Sequence, residues 1–339
     1  MTVVRSPRFV RWVGFFMVLV APVRSALAWG EDGHSAVTQA AVDLLPDDVP
    51  AFLKTPAARA RLVYLSSEPD RWRNLELPPM GHINKPEHYL DVDLLPLYDL
   101  DPKRLPPFRH EYIAAIELFK AVHPDRDYRY DPARDLDRSK EYPGFAPWRI
   151  CEMYVQLKSS WRTLNTCEKH REVAGEETLV NCRENIVYLM GVMSHYVGDM
   201  SQPLHATKHH HGWEGDNPKG YCTDRGLHAL IDDGVIDAAR IDGRALLKHS
   251  PAKRKLDDQR LFDEVMTYVL ETYSQVEPLY ELEKRGAFKS DSPVFSDGVQ
   301  FLEQRMLAGA VMLEALWERA ARDAGIDEYR ERALHAKTK

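Results

Sequence analysis

After position 20 the chain contains no apolar run long enough to cross a bilayer, so no later segment is expected to span a membrane. It also lacks a basic excess. Its 45 Lys and Arg are set against 52 Asp and Glu, for a formal net charge of −7. A groove that wraps a long polyanion normally uses many such cations, which argues against simple backbone binding. A short substrate gripped through metal ions is not excluded, because bound cations can invert the local field. Cysteine is scarce, with four among 339 residues (Cys151, Cys167, Cys182 and Cys222), and their spacing fits no zinc-knuckle pattern. No stretch shows strand-like alternation, and no internal repeat or low-complexity tract is present. The remainder, 44% hydrophobic and 29% charged, is the composition of an ordinary globular protein.

The first 28 residues differ from the rest. Arg5, Arg8 and Arg11 precede the run Val13-Gly-Phe-Phe-Met-Val-Leu-Val20, and Ala26-Leu-Ala28 supplies the small residues read by a signal peptidase. A cleaved signal peptide over 1–28 is expected, with export to a periplasm or the medium. Its loss removes four arginines and no acid, taking the formal charge from −7 to −11. In an oxidising compartment the four cysteines are expected as two disulfides, with three possible connectivities.

The mature chain would open Trp29-Gly-Glu-Asp-Gly33-His34, followed by apolar residues at 37, 40, 41 and 44 with helical period. Ser35 suits the N-cap of that helix. His34 then lies at its mouth, five residues from a new α-amine, which is easier than lysine to present as a neutral donor. Further helices are expected at 51–66, 111–122, 146–164, 176–199, 227–239, 258–284 and 293–323. Residues 94–145, rich in Pro, Asp and Arg, read as an irregular insertion without enough apolar residues for a core of its own. Residues 328–339 read as a polar tail. The expected fold is all-α: a single-domain helical bundle with long loops, spanning 29–327, whose site is built from facing helices and one loop.

Histidine carries the chemistry. His195 and Asp199, and His228 and Asp232, stand four apart and can share a helix face. Imidazole and carboxylate at that spacing make a zinc-type half-site. With 14 His and 52 acids, chance alone gives roughly two such pairs, so neither pair suffices by itself. His205 follows Gln202-Pro-Leu; Asp70 opens the stretch Asp70-Arg71-Trp72-Arg73, and the proline-punctuated loop Leu77–Asp93 after it adds His82, His88 and Asp91. His82 could compete with His88 as a ligand. The run His209-His210-His211 is read as solvated loop, since three consecutive histidines cannot all face one metal. Trp29, His34, Asp70, His88, His195, Asp199, His205, His228 and Asp232 are too many N and O donors for one structural zinc, which closes with four. They suit a multinuclear site of the kind that activates water for phosphoryl chemistry.

These residues fall in motifs: Trp-Gly-x-x-Gly-His at 29–34, His-Tyr-Leu-Asp at 88–91, His-Tyr-Val-Gly-Asp-x-x-Gln-Pro-Leu-His at 195–205 and Asp-x-x-Leu-His-x-x-x-Asp at 224–232. In them the chain resembles the zinc-dependent phospholipase C and type I (single-strand-specific) nuclease superfamily, and is more similar to its nuclease branch. The resemblance implies the fold of that superfamily and three Zn²⁺ ions. One would be held by Asp70, His88, His195 and Asp199; a second by His205, His228 and Asp232; a third by the Trp29 amine and carbonyl, His34 and Asp199. It further implies a zinc-bridging hydroxide as attacking group, Arg73 steadying the phosphate, Asp91 orienting the hydroxide, and Tyr89 near a base-stacking position. The implied protein is a monomeric, secreted, zinc-dependent phosphodiesterase, a single-strand-specific endonuclease with 3′-nucleotidase activity acting on single-stranded nucleic acid or nucleotides. Two alternatives stand beside it: a zinc-dependent phospholipase C on phosphatidylcholine-type lipids, and a non-catalytic zinc-stabilised helical protein. The segment between His88 and His195 is longer than the superfamily usually shows, and Asp216 in the Gly215-Asp216-Asn217 turn would disfavour a nearby phosphate.

Overall fold

The structure, a computed structural model, describes residues 29–336 apart from positions 74, 76, 129 and 250. The expected signal peptide lies outside the described residues. Within them the chain is all-helical: only two isolated bridges, Leu90 with Gly144 and His210 with Gly212, interrupt helices and loops. No described helix is long and apolar enough to cross a membrane.

The helix Glu176–Asp199 is the axis of the packing. Its sequence turns apolar toward the C-terminal end, and every residue from Met190 to Asp199 is buried. Around it pack Ala146–Lys169, Pro56–Leu65, Glu31–Leu44 and the 28-residue helix Phe295–Arg322. Phe295–Arg322 buries Leu302, Met306, Leu313, Leu316 and Trp317 along one stripe, as helical period demands. The crossing with Pro56–Leu65 is close: a Cβ built on Gly191 would lie 2.5 Å from the Leu65 Cβ, so only glycine fits without movement. Thr38 links the first helix to the axis, its Oγ1 lying 3.1 Å from Ser194 Oγ and 2.8 Å from the His34 carbonyl oxygen of its own helix.

Four local expectations are corrected. The first helix begins at Glu31 with Gly30 as its N-cap, not at Ser35, so His34 sits inside its first turn. Acidic Glu31 and Asp32 lie at that start, where the macrodipole favours negative charge. Residues 328–336 form a helix, Glu328–Ala336, whose Leu334 is buried, where a polar tail was expected. All four cysteines are free thiols, with no disulfide between them. Cys167 and Cys182 meet as thiols within hydrogen-bonding reach, whereas Cys151 lies four and a half turns from Cys167 on the same helix and Cys222 lies in the 206–226 loop. Lastly, His209-His210-His211 is not a solvated run: His209 is buried and stacks on Trp213 with ring centroids 4.0 Å apart.

Candidate metal centre

Burial decides the character of this site. The side chains of His34, His88, His195, His205, His228, Asp70, Asp199 and Asp232 are all buried, and they collect into three groups. These are His34, His195 and Asp199; Asp70, His88 and His195; and His205, His228 and Asp232, with the donor atoms of each group within 4.8 Å of one another. The first two groups share His195.

The last turns of Glu176–Asp199 supply the hub. His195 and Asp199 stand one turn apart and face the same point, with His195 Nε2 3.3 Å from Asp199 Oδ2. His34 arrives from the first helix, its Nε2 3.2 Å from Asp199 Oδ1, and its ring stacks on His195 at 4.0 Å. A Cβ on Gly198 would come within 3.0 Å of His34 Nδ1, so glycine there leaves room for the imidazole. His88 closes from a 3-10 turn, Lys85–His88, with Nδ1 3.0 Å from Asp199 Oδ2 and 2.9 Å from His195 Nε2. Asp70, on the short helix Glu68–Arg73, lies 3.7 Å from His195 Nε2 and 3.9 Å from His88 Nδ1. His82, the alternative to His88, is exposed and points its Nδ1 at the Asp137 carbonyl oxygen, 3.1 Å away.

The second centre follows at once in sequence. His205 sits on the 3-10 turn Pro203–Ala206, and its ring meets His228 edge-on at 5.0 Å. His228 and Asp232 straddle a change in winding, from the α-turn Leu227–Ala229 to the π-turn Leu230–Gly234, with Nε2 to Oδ2 at 3.0 Å. Single π-turns of this kind are frequently found at functional sites. The main chain ties the segments together: Gly30 N–H donates to the Asp232 carbonyl at 3.1 Å and Leu90 N–H to the His205 carbonyl at 3.0 Å. Trp29 is fully buried and donates from Nε1 to Ser201 Oγ at 2.8 Å, which fixes the start of the described chain beside this centre.

Supporting bonds set the tautomers. His195 Nδ1 lies 2.7 Å from the Ser66 carbonyl oxygen and His205 Nδ1 lies 2.7 Å from that of His88. A carbonyl only accepts, so each Nδ1 carries the proton and each Nε2 presents its lone pair inward. Gln202 Nε2 donates to Asp232 Oδ1 at 2.7 Å, leaving Oδ2 toward His228. Sequence reasoning gave Ser66 and Gln202 no role. Gln202 was visible inside the Gln-Pro-Leu-His motif, whereas a carbonyl such as that of Ser66 leaves no trace in residue type.

The electrostatics match ligands better than a proton relay. Burial, opposed by Asp199, pushes His195 down to about 3, and burial also lowers His205 and His228. Burial works against ionised Asp199, but His195, His34 and His88 outweigh it and hold that carboxyl well below its usual range. At the Asp199 group, a neutral imidazole beside an ionised carboxylate is the protonation state that metal binding requires, whereas burial raises the Asp232 carboxyl of the other group. His34 Nδ1, His88 Nε2, His205 Nε2 and His228 Nδ1 are buried ring nitrogens with no hydrogen-bond partner among the described residues. Buried polar atoms left this way are costly unless something else satisfies them. The donor set therefore fits divalent ions that favour nitrogen and oxygen.

Arg73 lies beside the centre, its Nη2 2.9 Å from Asp70 Oδ1, and its charge depresses His205 and His228 as well. His210 and His211 flank the second group, their rings 6.2 and 5.5 Å from His228. Two other expected residues stand apart from the donor groups. Asp91 is buried, and burial together with Asp93 and Glu214 pushes its carboxyl well above the usual range. It is in none of the three groups. Tyr89 donates its hydroxyl to the Ser139 carbonyl oxygen at 2.9 Å, which ties the ring to the 135–144 loop.

No family model matches the chain. Among curated proteins, Endonuclease 3 from Arabidopsis thaliana is similar at 24% identity over 237 residues, covering 67% of this chain and 61% of that protein. The chain thus spans less than two thirds of its relative's length. These findings correct the assignment drawn from the motifs. With no matching family model and a distant relative whose name says only endonuclease, the chain is not placed in the zinc-dependent phospholipase C and type I nuclease superfamily. The function that came with that assignment, a secreted single-strand-specific endonuclease with 3′-nucleotidase activity or a phospholipase C, is withdrawn with it.

Proposed function

We propose that this protein is a metal-dependent hydrolase that cleaves phosphate ester bonds in nucleic acid. The observation that carries the reading is the convergence of eight buried imidazoles and carboxylates in three donor groups, two of them sharing His195. The similarity to a protein named as an endonuclease supports nucleic acid as the substrate.

Zinc suits the N and O donors. Asp70, His88, His195 and Asp199 would hold one ion, and His205, His228 and Asp232 another. His34 and Asp199 would hold a third, completed by the backbone of Trp29 where processing exposes its amine. Such ions supply Lewis acidity and lower the pKa of water toward neutrality. The residues around them do the positioning. The Ser66 and His88 carbonyls lock the imidazole tautomers, Gln202 aims Asp232, and the Arg73 guanidinium, paired with Asp70 beside the donor groups, would stabilise charge developing on a phosphate.

The test combines metal analysis with cleavage assays on single-stranded and duplex oligonucleotides, using wild type, Asp199→Asn and Arg73→Ala. Wild type should hold more than one zinc equivalent and cleave, and chelation should abolish cleavage reversibly. Asp199→Asn should lose metal, and Arg73→Ala should keep it while slowing turnover by roughly 10²–10³-fold. A fully loaded protein that cleaves neither oligonucleotide overturns the proposal.

A further inference from the structure

Far from the buried centre in sequence, the C-terminal helix Glu328–Ala336 docks on the end of Ala146–Lys169. The docking is specific. Asp327 N–H donates to Thr166 Oγ1 at 2.8 Å, and Arg162 and Asn165 donate to the carbonyls of Ile326 and Gly325 at 2.9 and 3.1 Å. Arg330 Nε lies 3.1 Å from Cys167 Sγ.

This arrangement brings together His170, which caps the longer helix, and Glu331 and His335, which stand four apart on one face of the shorter. One donor atom from each lies within 4.8 Å of the others. His170 Nε2 is 3.2 Å from Glu331 Oε1, and the His170 and His335 rings meet edge-on at 4.7 Å. His170 and Glu331 are partly buried and His335 is exposed, so an ion can reach the group directly from solvent.

We propose that His170, Glu331 and His335 form a second, surface metal site that binds a nitrogen-preferring divalent ion of the zinc or nickel class and clamps the C-terminal helix to Ala146–Lys169. Two imidazoles and one carboxylate are a set such ions accept, leaving one position to water. The ligands come from two elements whose docking already aligns them, so binding adds to the stability of that docking. Lys169 competes, since its Nζ sits 2.6 Å from the same Glu331 Oε1. The site is independent of the buried groups and stands whatever reaction they perform.

The test titrates Ni²⁺ into the full-length protein, its buried centre preloaded with zinc, and compares wild type with His335→Ala, Glu331→Gln and Lys169→Ala. Wild type should take up one equivalent more than His335→Ala or Glu331→Gln. Lys169→Ala should bind more tightly than wild type, because the competing ammonium is gone. Hydrogen exchange of the amides of 328–336 should slow several-fold on adding Ni²⁺ to wild type and not change in His335→Ala. His335 is exposed, so its replacement leaves the fold intact, and circular dichroism checks this. Equal uptake by wild type and His335→Ala, or a helix whose exchange ignores the ion, overturns the proposal and leaves the cluster as an ion pair.

Discussion

A single hydrogen bond can govern a metal site when it fixes which oxygen faces inward. Gln202 does this for Asp232: its amide donates to Oδ1 while its own Oε1 accepts from Leu204 N–H at 2.6 Å, so the side chain cannot rotate away. Burial raises Asp232 well above the usual carboxyl range, and the Gln202 bond opposes that rise. Gln202→Ala should therefore weaken metal retention or turnover by roughly 10–100-fold, the usual cost of losing such a partner. Metal content after dialysis, measured beside Asp232→Asn, checks it: an unchanged zinc count and rate in Gln202→Ala would refute the role. At this scale the sequence was informative about donors and silent about their supports. Two His-x3-acid pairs announce themselves by spacing, whereas the carbonyls of Ser66 and His88 act through the main chain that every residue has. His210 and His211 were misjudged because the turn that folds them back on His228 is held by Tyr280, far along the chain, which packs on nearby Trp213 and donates its hydroxyl to the His209 carbonyl.

Among the elements, the crossing of Glu176–Asp199 with Pro56–Leu65 sets how near Ser66 can come to His195. Gly191 permits that approach, and Gly191→Ala places a methyl 2.5 Å from the Leu65 Cβ. Overpacking of this kind typically costs about 1–3 kcal/mol. Denaturant melts should show the loss, and a neutral result would mean that the helices slide apart freely. Helical period located the long rods because their apolar stripes are continuous, as in Phe295–Arg322. It misplaced the start of the first helix because Gly30, in extended conformation with no side-chain cap, gives no Ser or Asp signal. The π-turn at Leu230–Gly234 was equally hidden, since it and the α-helical pieces on either side are each five residues or fewer, too short for a change of period to be read.

At the level of the whole molecule, one buried acid outside the centre ties stability to pH. Glu314, 2% exposed within Phe295–Arg322, has its carboxyl pushed up from 4.5 to about 7, by burial first and then by Glu318. A carboxyl raised on folding is held more tightly as the neutral acid in the native state. Its stabilising effect is thus complete below the unfolded value of 4.5 and fades as pH climbs through about 7. Glu314→Gln should raise Tm by a few degrees at pH 8 and change little at pH 5; an equal effect at both would exclude this linkage.

The donors His34, Asp70, His88, His195 and Asp232 are strewn across two hundred positions, and only His195 with Asp199 and His228 with Asp232 are neighbours along the chain. During refolding, an early-arriving cation would meet those local pairs and little else, because the remaining partners join only when the rods have docked. Uptake should accordingly be a late event, acting on escape from the native basin more than on approach to it. In stopped-flow experiments followed by tryptophan fluorescence, zinc should leave the refolding rate nearly constant and slow unfolding by at least an order of magnitude. Equal acceleration of refolding would show instead that the ion nucleates the fold.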